Sequence, residues 1–179
     1  KPSWSEVFSD TINTGIYVLE KDTLGLVPKA RGNKADCDFS KDLFPYLLKN
    51  KMPLYGATLN GYWRDVGSLD DYIKTNLEAL KGKIDLPLAK GLLKNGNIIA
   101  SNAKVSRNAK IINSVIGSKC YIAPGAVVKD SILWNNSVVE ENSRINHDVV
   151  CNNVRIKPNC RINDNVFIGS NVVIGNNVT

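Results

Sequence analysis

Four kinds of side chain in this sequence could do chemistry: one histidine, four cysteines, a carboxylate in an aromatic-rich turn, and a polar run around a strand glycine. His147 could serve as the general base of an acyl transfer. It falls, however, in the column Asn113, Asp130, His147, Asp164 of a repeat, a polar corner ladder where a turn residue belongs. Cys37, Cys120, Cys151 and Cys160 lack the CxxC spacing of a metal site and are expected as reduced, buried thiols. Asp65 lies in Tyr62-Trp63-Arg64-Asp65-Val66-Gly67, after an Asn60-Gly61 turn. Taken alone, it would pair with Arg64 or cap the turn before the next helix. Asn13-Thr14-Gly15 sits in the apolar run Ile12 to Leu19, a buried strand by composition, where Gly15 would let a ligand or another backbone approach closely.

The element that must position His147 is a repeat of seventeen residues filling the C-terminal half. From Val105 the rows read VSRNAKIINSVIGSKCY, IAPGAVVKDSILWNNSV, VEENSRINHDVVCNNVR and IKPNCRINDNVFIGSNV, and a fifth begins VIGNNVT. Val105, Ile122, Val139, Ile156 and Val173 share one column; Ile111, Val128, Ile145 and Ile162 a second; Ile116, Leu133, Val150 and Phe167 a third. A short fixed period means a unit that cannot bury its apolar face alone and must stack on copies of itself. Small residues follow the anchors (Ala109, Ala126, Ser143 and Cys160; Cys120, Ser137 and Val154), as a narrow interior requires. The column Asn108, Gly125, Asn142, Asn159, Asn176 supplies residues that tolerate a left-handed corner. Three strands and three corners per row give a triangular prism, which resembles the left-handed parallel β-helix of hexapeptide-repeat proteins with one hexad shortened to five.

Composition sets bounds. With 43% hydrophobic and 22% charged residues the chain is an ordinary globular sequence. Its apolar runs fall far short of the roughly 20 residues of a membrane span, and no signal core opens it, so a cytoplasmic protein with no membrane partner is expected. The net charge of +6 is dispersed, without an aromatic-interleaved basic stripe, which argues against nucleic acid.

The front half reads as mixed α/β. Beyond the Ile12 to Leu19 strand, Ser40 is expected to cap a helix in which Phe39 staples onto Phe44 and Leu43, Leu47 and Leu48 face inward. Leu54 to Leu59 reads as a second strand. Ser68 caps an amphipathic helix carrying Leu69, Tyr72, Ile73, Leu77 and Leu80, ended by Gly82. The expected organisation is an α/β domain over 1–82, a linker over 83–97 and an all-β left-handed β-helix over 98–179. So few strands make an incomplete α/β sheet, with the rest expected upstream of Lys1; a further continuation is expected beyond Thr179.

KPSWSEVFSDTINTGIYVL, DFSKDLFP and GYWRDVGSLDDY, in that order and ahead of a β-helix, resemble the C-terminal portion of sugar-1-phosphate nucleotidyltransferases. The likeness is to mannose-1-phosphate guanylyltransferases, with ADP-glucose pyrophosphorylases a near second. It implies a partial Rossmann-like nucleotidyltransferase domain. It further implies that Lys1 binds the sugar phosphate, that Asn13 contacts a sugar hydroxyl beside Thr14 and Gly15, and that Asp65 binds metal as a catalytic aspartate. Nucleoside triphosphate and sugar 1-phosphate are the implied partners and Mg²⁺ the implied cofactor. Mg²⁺ prefers hard oxygens and is usually held by one or two carboxylates with phosphate oxygens. The implied product is GDP-mannose, the segment alone being expected to be inactive. Three alternatives stand beside it: an adenylyltransferase acting on glucose 1-phosphate, a hexapeptide-repeat acyltransferase using His147, and a non-catalytic oligomerisation or regulatory segment. The flat faces and unpaired ends of a β-helix favour a homo-oligomer built through it.

Overall fold

The computed structural model describes residues 9, 11–85, 87 and 93–179, and the chain falls into two compact units, Lys1–Gly61 and Tyr62–Thr179. The first contains short helices: α1 (Lys21–Leu24), α2 (Val27–Arg31), and a π-helical turn over Phe39–Leu43 that runs into α3 (Phe44–Lys49). Asp38, not Ser40, is the N-cap; its carboxylate accepts the N–H groups of Ser40 and Lys41 at 2.8 and 3.0 Å. The turn is wide because the Phe44 N–H reaches back to the Phe39 carbonyl and Pro45, next in line, has no N–H to give. Phe39 packs on Phe44 with ring centroids 6.2 Å apart. Leu43 and Leu47, four residues apart, share the buried face; Leu48, expected inward, stands one residue round the helix and is exposed.

The strands expected at Ile12 to Leu19 and Leu54 to Leu59 do not form. Ile12, Ile16, Val18 and Tyr55 are exposed. A strand needs a neighbour to complete its ladder, and among the described residues neither run has one.

The second unit is a parallel β-solenoid with one helix on its side. Its strands fall on three faces. One carries Asn97–Ile99, Val115–Ile116, Ile132–Leu133, Val149–Val150 and Phe167–Ile168; the next carries Lys104–Val105, Tyr121–Ile122, Val138–Val139, Arg155–Ile156 and Val173–Ile174; the third carries Lys110–Ile112, Val127–Lys129, Arg144–Asn146 and Arg161–Asn163. Inside, Ile116, Ile122, Val128, Leu133, Val139, Ile145, Val150 and Ile156 stack with Ala126, Cys120, Val154 and Cys160 into one buried core. At the end of the linker expected over 83–97, Leu93–Lys94 pairs antiparallel with Asn97–Ile99 in a hairpin around Asn95-Gly96, both at positive φ. Leu93–Lys94 thereby pairs with the open edge of one sheet at the solenoid's first coil.

The seventeen-residue register holds through Ile162 and then slips by one. Val150 pairs with Ile168, not Phe167, and Ile156 with Ile174, not Val173. The extra residue sits at the corner, where both Asp164 and Asn165 have φ of 67°. Phe167, expected inside, therefore points out and is 56% exposed. A buried polar column shows how the longer coil is held. Ser114, Ser131 and Asp148 are fully buried; Ser131 N–H donates to Ser114 Oγ and Asp148 N–H to Ser131 Oγ, both at 3.1 Å. At the long coil the ladder changes from serine to aspartate, whose Oδ1 accepts the Val166 N–H at 2.9 Å while Oδ2 accepts Asn146 N–H. Corner residues Gly125, Asn142 and Asn159 are left-handed as expected; Asn108 is not, and Asn177 replaces Asn176 because of the slip.

Helix α4 (Leu69–Leu80) starts at Ser68, whose Oγ accepts the Asp71 N–H. It ends at Gly82 (φ 76°), whose N–H bonds Ala79 O while Lys83 N–H bonds Glu78 O, the paired closure that a left-handed glycine permits. Ile73 is fully buried against Ile132 and Val149, with Leu69, Tyr72, Leu77 and Val115 around them. The outward column of the first solenoid face is apolar because this helix covers it.

Candidate functional site

In the second unit the segment carrying Asp65 is tied to α4. Arg64 Nε donates to the Tyr62 hydroxyl at 3.1 Å, its Nη2 donates to Glu78 Oε2 at 3.0 Å, and Nη1 lies 3.6 Å from Asp71. The Tyr62 hydroxyl donates to the same Glu78 oxygen at 2.7 Å, and Lys83 reaches Oε1 at 3.1 Å. The Tyr62 hydroxyl, then Lys83, then the Arg64 charge hold the Glu78 carboxyl down to about 2. Asp65 takes no part in this. It is exposed, and among the described residues it has no hydrogen-bond or ion-pair partner. The local reading, in which Asp65 pairs with Arg64 or caps the turn before α4, is therefore not what the chain does: Arg64 is engaged elsewhere, and the Asp65 carboxylate makes no hydrogen bond to that turn among the described residues. A free carboxylate fits one ligand position of a hard divalent ion. Among the described residues no group of three or more His, Cys, Asp or Glu comes together to hold a metal by itself.

In the first unit Asn13 organises a small polar network. Its Oδ1 accepts the Gly15 N–H at 2.9 Å, and its Nδ2 donates to Ser40 Oγ at 3.0 Å and to the Tyr17 hydroxyl at 2.9 Å. Tyr17 packs edge-on against Phe44, with ring centroids 4.8 Å apart. Gly15 has φ of 74°, and among the described residues no atom beyond its chain neighbours comes within 4 Å of where a Cβ would stand, so this side of it is open to them. Thr14 beside it is half-buried. Lys1 lies outside the described residues.

The solenoid's reactive groups are spoken for. His147 takes a left-handed corner (φ 63°), and its Nε2 lies 3.6 Å from Asp70 of α4. Lys74, more than His147, keeps the Asp70 carboxyl below the ordinary aspartate range. Burial pushes the Cys120 and Cys151 thiols up, away from the nucleophilic thiolate. One feature escapes a reading by motif: Val66, Gly67, Ser68, Leu69, Tyr72, Trp134 and Phe167 line a shallow apolar groove beside the Asp65 segment. Only the slip that turns Phe167 outward creates its far wall.

A nucleotidyl transferase family model matches residues 1–82, and the model of the EIF2B subunit epsilon LbH domain matches residues 86–179. The chain belongs to the nucleotidyl transferases that carry a left-handed β-helix. More particularly, it is similar to a glucose-1-phosphate adenylyltransferase of Desulfitobacterium hafniense, 31% identical over 148 residues, covering 72% of this chain and 37% of that protein. A UTP–glucose-1-phosphate uridylyltransferase of Synechocystis is 28% identical over 75% of this chain and 39% of its own length. A mannose-1-phosphate guanylyltransferase of Mycobacterium tuberculosis is 28% identical over 71% of this chain and 34% of its own. The chain thus spans well under half the length of the curated relatives it matches.

Proposed function

We propose that this chain is part of a sugar-1-phosphate nucleotidyltransferase, which joins a sugar 1-phosphate to a nucleoside triphosphate and releases pyrophosphate. The carrying observation is the tandem of nucleotidyl transferase and β-helix matches along one chain, with Asp65 exposed and, among the described residues, without a partner inside the first. The phosphate monoester has its second pKa near 6 and is largely ionised at neutral pH, so the reaction needs no general base. What it needs is two anions brought together in line. Asp65 would supply one carboxylate to Mg²⁺, and when bound that ion would neutralise the repulsion between the phosphates. Asn13 and Gly15 would present a hydroxyl partner and an open backbone surface to the sugar, with Lys1 on its phosphate.

Mannose 1-phosphate with GTP is the pair we assign, giving GDP-mannose, on the motif likeness and the guanylyltransferase relative. Glucose 1-phosphate with ATP is the second reading, favoured by the 31% relative. We further assign self-association through the solenoid and a cytoplasmic setting; among the described residues no helix is long and apolar enough to cross a membrane. The test is pyrophosphate release by the full-length natural protein with Mg²⁺, offering GTP or ATP against mannose 1-phosphate or glucose 1-phosphate. Release in one combination names the pair. Silence in all four sinks the reading and turns attention to acyl transfer or a purely structural role.

A further inference from the structure

Asp65 has a cation as its immediate chain neighbour, yet among the described residues it carries no counter-charge. The reason lies thirteen residues on. Glu78 gathers the Arg64 guanidinium, the Tyr62 hydroxyl and the Lys83 ammonium, and the longer contact of Arg64 to Asp71 draws the guanidinium the same way. Glu78 can do this because α4 is fixed: Ile73 is fully buried on Ile132 and Val149, and both ends of the helix are capped. Without Glu78 the guanidinium keeps only the Tyr62 hydroxyl and the longer Asp71 contact, and the adjacent Asp65 carboxylate, a weak exposed partner of the same order, enters the competition for it.

We infer that Glu78 is a positioning residue that holds Arg64 against α4 and thereby keeps Asp65 free to take a divalent cation. The inference rests on the reading of Asp65 as a metal ligand. Glu78 touches neither metal nor substrate; it acts through Arg64. Removing Glu78 turns Arg64 into a competitor for the Asp65 carboxylate, and removing Arg64 as well takes the competitor away.

The experiment is a Mn²⁺ titration of the full-length protein in nucleotide-free buffer, followed by water-proton relaxation, with thermal unfolding of each variant alongside. Asp65→Asn is the control and should lose the Asp65-dependent binding; if it titrates as wild type does, the metal reading of Asp65 falls and this inference with it. With that control behaving as expected, Glu78→Ala should weaken Mn²⁺ about two- to fivefold, the scale of one exposed ion pair. The double variant Arg64→Met with Glu78→Ala should return to wild-type affinity while remaining as thermally destabilised as Glu78→Ala. Unchanged affinity in Glu78→Ala, or a double variant that stays weak, would overturn the positioning role and leave the reading of Asp65 standing.

Discussion

The Trp134 indole on the solenoid donates from Nε1 to the Tyr72 hydroxyl of α4 at 3.2 Å. The bond lies at the rim of a contact whose centre is Ile73, fully buried on Ile132 and Val149. Apolar burial at the centre outweighs a half-exposed hydrogen bond at the edge. Tyr72→Phe should therefore cost at most about 1 kcal/mol, whereas Ile73→Ala should cost about 2–5 kcal/mol. Urea unfolding of both variants checks the order; a Tyr72→Phe loss as large as that of Ile73→Ala would show the rim to be the stronger tie.

Gly125 takes φ of 74°, and a Cβ there would stand 2.3 Å from the Asn142 side-chain oxygen one coil on. Gly125→Ala should lose about 1–2 kcal/mol from the left-handed backbone alone, plus whatever displacing Asn142 requires. Gly15 shares the φ but has no such neighbour among the described residues, so Gly15→Ala carries the backbone cost only. The denaturation midpoint of Gly125→Ala is the measurement, and an unchanged midpoint refutes the corner geometry.

Burial lifts the Asp148 carboxyl above the ordinary aspartate range, with the Val166 and Asn146 N–H groups opposing. The folded state then binds the proton more tightly than the unfolded chain does. Its contribution to stability is full below the ordinary value of about 4 and is lost as pH rises through the raised one. Asp148→Asn should flatten that slope while losing one backbone acceptor. Unfolding free energies measured across the acid range decide it; equal slopes in variant and wild type would remove Asp148 as the titrating group.

If the proposed metal role holds, Asp65→Ala should abolish the proposed Mg²⁺-dependent turnover of the full-length protein. Because the side chain is exposed and without a partner among the described residues, stability should change by less than about 0.5 kcal/mol. A variant that stays active refutes the proposed role of Asp65 as a metal ligand.

The solenoid was legible because its anchors repeat: Ile111, Val128, Ile145 and Ile162 form one column in the sequence and one ladder of pairs in the structure. Helix α4 was legible for a similar reason, since Ser68, Ile73 and Gly82 carry cap, buried face and stop within one local run. The slip at Asn165 was not, because an eighteenth residue in a coil leaves the apolar spacing nearly intact; Phe167 and Ile168 are both apolar, and only ladder pairing chooses between them. The runs around Ile12 and Leu54 have strand composition, but a ladder is a relation between segments and composition is not. At the candidate site, the residue types came from the sequence: Asp65 beside Arg64, Asn13 beside Gly15. Tertiary structure decided their partners. Arg64 goes to Glu78 rather than Asp65, and Asn13 to Ser40 and Tyr17, because charges and hydrogen-bond donors choose among neighbours in space: the packing of α4 on the solenoid sets those of Arg64, and the turn that follows Asp38 brings Ser40 to Asn13.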